Sequence, residues 1–597
     1  MSRLIENYKA IRDYYKSQPE HVPFSTTMEE LANLLFCSQR NTKFILSKLI
    51  ESGWILFSPG RGRGNKSHLT FLKSIDDAAF SEAINLFMNG KITEGLELAT
   101  LYGSPDLKKQ LLEWLNQYFG YTQQENAKVV KDIIRLPMFR TFNSIVPSKA
   151  FFDFDVHLIK QVYDTIVLFD HSTEKVKGKL AHHWEVNEEK TEWTFYLKKG
   201  LQFHNDKELI STDIHFTFSL LFHPDFEQSW LVKNINDIEC LNRYTVRFHL
   251  HKPNELFLRF LSFPALSIIP AEGTDYIGTG PFKVHTYNEN YAVLEANSSY
   301  YEGRPFVDRF EILNVPREYE KEILADNSSI FVNTGESNYS SDDPSHEVVE
   351  GMYEGSSLLT FNLRKKNSPL QSIFFRKALN KLIDRKKLIA DLGSPRLLPS
   401  FSFEMQRSLL MTQEKIENEE IQFLLQQSSY SGEPIQLFTY ERHQPDAEWI
   451  MTEAAQYGIS IHITILGWQE ILNEESIQQA DCILFEAVWG EKEMSKLELY
   501  QSRFSFLHQH LDPEIKDAID RKIETILATS KEEERSTLFS EIEAHLISEQ
   551  AAAFLVHKSI ESTFHPSIKG VKINSRGHVD FKNIWIKPDV TKKDEIT

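Results

Sequence analysis

Apolar positions recur at helical spacing from the first turn of the chain. Leu4, Ile5, Tyr8, Ile11 and Tyr15 predict a helix over 3–16, stopped by Pro19 and Pro23. Thr26 or Thr27 is placed to cap the next helix, with Glu29 and Glu30 in the capping-box region and Leu31, Leu34 and Leu35 on its apolar face. Cys37 and Ser38 form a short turn, and Ser38 caps a third helix. Its expected inward residues are Thr42, Ile45, Leu46, Leu49 and Ile50, and Gly53 marks its end. Segments 54–58 and 67–72 read as strands flanking a turn-rich loop. This order of elements is that of an α/β winged helix-turn-helix, assigned to residues 1–75.

From 76 to 125 the pattern is helical, punctuated by Gly90, Gly103 and Gly120, and predicts a helical connector. From 126 to 597 strands alternate with helices, so the remainder is a mixed α/β body. No tandem repeat is visible. The fold class is therefore multidomain.

Net charge sharpens the division. The chain carries −19, yet residues 1–75 hold eleven Lys/Arg against six Asp/Glu. That is about +5 for the head, which leaves about −24 on the rest. A basic head on an acidic body points to a nucleic-acid partner for the head alone. In a helix-turn-helix the start of the second helix meets base edges, which here selects Ser38, Gln39, Arg40, Asn41 and Lys43. Gln and Asn can bond adenine bidentately, and Arg can bond guanine. The loop 59–66 alternates glycine with Arg61, Arg63 and Lys66, cations suited to phosphates or a narrow minor groove. A winged helix that docks a protein partner is the alternative.

The stretch from Met28 to Phe71, continuing into the connector, resembles the N-terminal domain of the SgrR family of bacterial transcription regulators. Other segments resemble the extracellular solute-binding proteins of oligopeptide, dipeptide and nickel importers. Leu180, Ala181, Trp184, Phe195, Leu197, Gly200, Phe203, His204 and Asp213 fit that family's pattern, although Lys207 stands where it has glycine. Gly278-Thr279-Gly280-Pro281-Phe282, followed by Asn297, Tyr300, Gly303 and Pro305, is its most distinctive signature, and 359–389 matches a third motif. The resemblance implies a two-lobed, periplasmic-binding-protein-like (type II) body that traps ligand by hinge closure. The glycines at 278 and 280 are expected to supply positive φ, and Asp213 to cap a helix.

Cleft candidates are Asn362, Arg364, Arg140, Trp489 and Glu491. Arginine suits a carboxylate or phosphate. Glu491 stands near the place where peptide-binding relatives carry an acidic residue. No P-loop, GxSxG or metal-ligand spacing occurs, so no catalytic residue, metal or cofactor is expected. The N-terminus lacks an export leader and no stretch of 18 residues is apolar, so a cytoplasmic protein without a membrane partner is expected. The expected partners are double-stranded DNA and a small solute, with RNA polymerase as a further candidate. Oligomeric state is not legible. The competing assignment is a solute-binding subunit of an oligopeptide importer.

Overall fold

The computed structural model describes residues 3–587 except 61–65, 127–128, 150–152, 172, 224–225, 227, 273–275, 325–346, 353–354, 413–416, 490 and 573–578. The head begins with α1 (Arg3–Tyr14), β1 (Phe24–Thr26), α2 (Met28–Leu34) and α3 (Gln39–Glu51). Thr27 caps α2 in a complete capping box with Glu30, and Ser38 caps α3 by accepting from Asn41 N. β2 (Ile55–Ser58) and β3 (Ser67–Phe71) follow, and the small sheet runs β1-β3-β2. Tyr8, Trp54 and Phe71 fill the centre, with the Tyr8 and Trp54 rings 5.3 Å apart. Thr42, Leu46 and Leu49 turn inward as expected. Ile50 does not: it is 40 % exposed, because the buried stripe of α3 runs through Leu46 and Leu49 and leaves the next position outside.

The connector forms α4 (Ile75–Phe87), α5 (Ile92–Tyr102) and α6 (Pro105–Tyr118). Its expected last residues are not helical. Gly120, at φ 101°, turns the chain into β4 (Gly120–Asn126), which pairs antiparallel with β5 (Val129–Met138). The connector thus ends inside the first lobe. Its five-stranded sheet has the order Phe282–Asn288, Tyr291–Ala296, Arg309–Asn314, β5, β4, with β5 parallel to Arg309–Asn314.

One apolar cluster joins the head, the connector and this sheet. It runs from Ile5 and Trp54 through Phe87 and Leu111 to Tyr291, Val293, Leu313 and Val315. At its edge the buried Glu311 carboxylate accepts from Tyr118 Oη (2.9 Å) and Arg135 Nε (2.8 Å), and the Arg135 guanidinium lies over the Tyr118 ring. A helix of the connector is thereby fixed to a strand of the lobe by packing and a charge-assisted hydrogen bond.

A second unit is a four-stranded antiparallel sheet in the order Ile235–Asn242, Thr245–Leu250, Glu192–Leu197, Ala181–Val186, covered by the helix Ser211–Leu221. Its apolar core is continuous with that of lobe two. Lobe two has a five-stranded sheet in the order Ile461–Ile465, Ile435–Thr439, Cys482–Val488, Gly355–Phe361, Ala552–Phe554. The chain enters it along Glu347–Met352 and leaves along Val556–Phe564, and these two strands pair antiparallel from Glu347↔Phe564 to Met352↔Ser559. Val556 belongs to the core of lobe two and Phe564 to that of lobe one. They are the crossover strands of a two-lobed body.

The Gly278–Gly280 turn ties distant segments of lobe one together. Neither glycine has positive φ, contrary to expectation. They are required by close approach: a Cβ on Gly278 would lie 2.1 Å from Val162 O, and one on Gly280 2.5 Å from Val162 C. His204 accepts from Gly278 N at Nδ1 and reaches Gly280 O with Nε2 (3.0 Å), where Asn297 also donates (3.1 Å). Burial holds the His204 imidazole down to about 4, which suits this neutral pattern. Thr279 donates to the buried Asp164 (3.0 Å). Asp213 serves at the third helical position, accepting from Ile210 N and Ala271 N. Gly280→Ala should therefore lower the urea midpoint of unfolding, by about 1–3 kcal/mol of stability, because backbone rather than a flexible side chain must move. A midpoint equal to that of the unsubstituted protein would contradict this.

Candidate nucleic-acid interface and solute cleft

On the head, Ser38, Gln39, Arg40, Asn41 and Lys43 are all exposed at the start of α3, and Lys66 is exposed at the base of the loop. Arg40, Lys43 and Lys66 make no ion pair among the described residues. Gly60 N donates to Ser67 Oγ (3.2 Å), closing that base, while Arg61 and Arg63 lie outside the described residues. Thr42 is buried beneath, donating to Ser38 O (3.1 Å), so the polar end of α3 stands on a fixed support.

Between the lobes lies a cavity of about 830 Å³. Its walls are the ends of strands. Phe139 and Arg140 follow β5, and Arg317 follows Arg309–Asn314. From lobe two, Tyr440 and Arg442 follow Ile435–Thr439, Trp468 follows Ile461–Ile465, and Trp489 follows Cys482–Val488. These are carboxyl ends of strands joined in parallel pairs, where α/β sheets open a crevice for ligand.

Tyr440 and Trp468 form a platform, with ring centroids 4.0 Å apart. Trp489 is buried against Phe403, and among the described residues its Nε1 meets no hydrogen-bond acceptor, which leaves a donor for a ligand. Behind the platform, His443 bonds Tyr440 Oη (2.7 Å) and accepts from Lys558 Nζ (3.2 Å). Burial and the neighbouring cations hold His443 well below its ordinary range. Asp446 takes a bidentate pair from Arg396 (2.8 and 2.7 Å). Lys558 lies on the outgoing crossover strand, so this wall is tied to the hinge. Polar contacts bridge the cleft: Gln469 donates to Asn143 (3.0 Å), and Arg317 lies 3.8 Å from Glu441.

The structure brings Arg140 and Trp489 together in this cleft. Asn362 and Arg364 are elsewhere, in a neighbouring hollow of about 670 Å³. Asn362 is buried and donates to Ala480 O (2.9 Å), pinning a turn. Glu491 sits just past the cleft, 3.1 Å from Arg259, which also pairs with Glu493, itself held by Arg535. Burial raises the Glu491 carboxyl to about 7, against the pull of Arg259 and with the like charge of Glu493. Sequence reasoning missed Tyr440, Trp468, Arg317 and Arg442. The available signal was an aromatic or cationic residue within three positions of the end of a short, strand-like apolar run.

Comparison with known proteins matches the chain to two family descriptions. Residues 175–501 match the bacterial extracellular solute-binding proteins, family 5, middle region, and residues 3–126 match the sugar transport-related sRNA regulator N-terminal domain. The uncharacterized protein YhjP of Bacillus subtilis (strain 168) is 32 % identical over 576 residues, covering 94 % of this chain and 96 % of that protein. The HTH-type transcriptional regulator SgrR of Yersinia enterocolitica is 23 % identical, covering 96 % of this chain and 97 % of its own. Among solved structures, the periplasmic binding protein DppA of Helicobacter pylori with the peptide STSA superposes with a TM-score of 0.65 at 19 % identity. It covers 76 % of this chain and 98 % of its own. AgaA of A. tumefacien R10 with agropinic acid gives a TM-score of 0.64 at 17 % identity, covering 76 % of this chain and 99 % of its own. These superpositions show the fold of the body. Among the described residues no helix is long and apolar enough to cross a membrane.

The raised Glu491 makes a pH prediction. The folded state binds its proton more tightly than the unfolded chain does, so this group's contribution is most favourable below about 4.5 and declines as pH rises toward about 7. Glu491→Gln should flatten that part of the stability profile and raise the melting temperature at pH 8 relative to the unsubstituted protein. An unchanged slope of melting temperature between pH 5 and pH 7 would count against the assignment.

Proposed function

The chain belongs to the family 5 bacterial extracellular solute-binding proteins, with an N-terminal domain of the SgrR type, and from this we propose a DNA-binding transcription regulator whose two-lobed body senses a small solute. The head binds double-stranded DNA, with α3 in the major groove and the loop 59–66 against the backbone. The cleft takes a solute with a ring or apolar face for the Tyr440–Trp468 platform and an anionic group for its arginines. Sugar-phosphate-, sugar- and peptide-like molecules meet that description. The protein acts in the cytoplasm, where its DNA is.

The observation that carries this reading is one short segment that touches both the cleft and the connector. Val315 lies in the core shared with the head. Arg317 lines the cleft and faces Glu441 of lobe two. Two residues on, the Tyr319 ring packs under Lys108 Nζ of α6 (4.7 Å), and Asn116 of α6 donates to Glu322 O (3.0 Å). Closure that moves Glu441 relative to Arg317 moves the support of α6. Solute and DNA then change each other's affinity by the same factor.

A second reading, a solute-binding subunit of an importer, draws support from the superposition on transporter-associated binding proteins. It leaves unexplained why the head shares a continuous apolar core with the connector and, through it, with lobe one. Recovery of the protein with the cell envelope on fractionation would favour it.

The deciding experiment is footprinting of the full-length protein on DNA upstream of its own and adjacent genes, at physiological salt, with and without a metabolite extract. A discrete footprint that shifts with extract is expected. Arg40→Ala should weaken binding to that footprint by roughly ten-fold or more, in line with losing one base contact, and leave solute binding intact. Tyr319→Ala should retain both binding activities while shrinking the solute-induced shift. Equal loss of both activities in Arg40→Ala, or a full shift in Tyr319→Ala, would overturn the coupling scheme.

A further inference from the structure

The reading face of α3 contains a residue that no hydrogen-bond argument selects. From Gln39 to Lys48 the exposed positions are Gln39, Arg40, Asn41, Lys43, Phe44, Ser47 and Lys48. Phe44 is the single apolar side chain among them, and 58 % of it is exposed. Lys43 and Phe44 stand three and four residues after Arg40, so helical geometry places both beside it on one side of the helix. Lys48, one turn further, sits with Nζ 4.7 Å from the Phe44 ring centroid and holds a cation over the ring. Phe44 supports none of the head's packing: the buried residues of α3 are Thr42, Leu46 and Leu49.

We infer that Phe44 reads a thymine through its 5-methyl group. This rests on the proposal that α3 enters the major groove of DNA, and it assigns one base within that footprint. In the major groove, thymine alone presents a methyl, and an apolar side chain distinguishes it by burying it. The surroundings favour duplex DNA over a protein as occupant. Lys48 lies over the ring, Arg40 and Lys43 are exposed on the same side of the helix, Lys66 is exposed at the base of the loop, and the head carries about +5 while the body is strongly acidic. Phosphates would flank the ring on the sides where the cations are, leaving base edges for the ring. Specificity then has two chemistries on one helix: hydrogen bonding at Gln39, Arg40 and Asn41, and methyl burial at Phe44 a turn later.

The test uses the full-length protein and a random double-stranded oligonucleotide library, from which bound sequences are enriched at physiological salt. Each thymine of the enriched site is then replaced in turn by deoxyuridine, which removes only the methyl. At one position the replacement should weaken binding by about four-fold, the equivalent of one buried methyl group. Phe44→Ala should bind the thymine and deoxyuridine forms of that site equally, and Phe44→Leu should restore part of the preference. An unchanged melting temperature in Phe44→Ala, expected for an exposed side chain, separates readout from folding. If no replacement costs two-fold, or if the cost persists in Phe44→Ala, the assignment to Phe44 fails while DNA reading by α3 stands. If no sequence is enriched, base reading by this head fails, and the assignment with it.

Discussion

The apolar core shared by the head, the connector and the lobe-one sheet is the constraint on which the rest depends. Surface charge could hold the head near the body, but exposed ion pairs are weak and screened by salt. Burial of Phe87, Leu111 and Leu115 against Val293 and Leu313 is neither. It makes α4, α5 and α6 part of the body's framework instead of a tether. Glu311 adds direction, since Tyr118 and Arg135 both reach its carboxylate and fix the angle at which α6 crosses the sheet. A rigid attachment of this kind is what the proposed coupling requires, since a flexible tether would not carry a change in lobe geometry to the head.

The same framework explains where the cleft lies. Parallel pairing brings several strand ends to one edge of each sheet, and the residues that follow those strands face one another across the gap. Aromatic and charged side chains sit there because the chain is leaving the sheet and its backbone is irregular. The cleft wall is also held from behind. Tyr440 leans on His443, His443 takes a proton donor from Lys558, and Lys558 belongs to the outgoing crossover strand. The crossover strand and the shape of the wall are therefore linked through the buried His443 and Lys558.

The local parts of this architecture were legible in the sequence. Caps at Thr27 and Ser38, the inward stripe of α3 and the breaks at Gly53 and Gly120 depend on residues a few positions apart. Ile50 was misread because apolar identity was taken as burial at the edge of a narrow stripe. Gly278 and Gly280 were legible as a motif but not as a reason, since the atom that excludes a Cβ belongs to Val162, more than a hundred residues earlier. The cleft was harder still. Arg140 and Trp489 were found, but Asn362 and Arg364 were read as their neighbours and lie in a different hollow. Which strand ends meet is set by sheet order, and sheet order is decided by pairing between distant segments. The loop arginines 61 and 63 fall outside the described residues.

The paired crossover strands have one more consequence. Lobe two enters along Glu347–Met352 and leaves along Val556–Phe564, side by side. Seen from lobe one, everything between is a single excursion of the chain whose two ends are about one strand spacing apart, roughly 4.8 Å. The gap that lobe one must close is that of a hairpin, whatever is carried beyond it. Lobe two can lengthen, shorten or exchange its interior while the frame that holds the head keeps its form. The lobe that contributes most of the cleft's aromatic walls is thus free to change those walls independently of the lobe that holds the head.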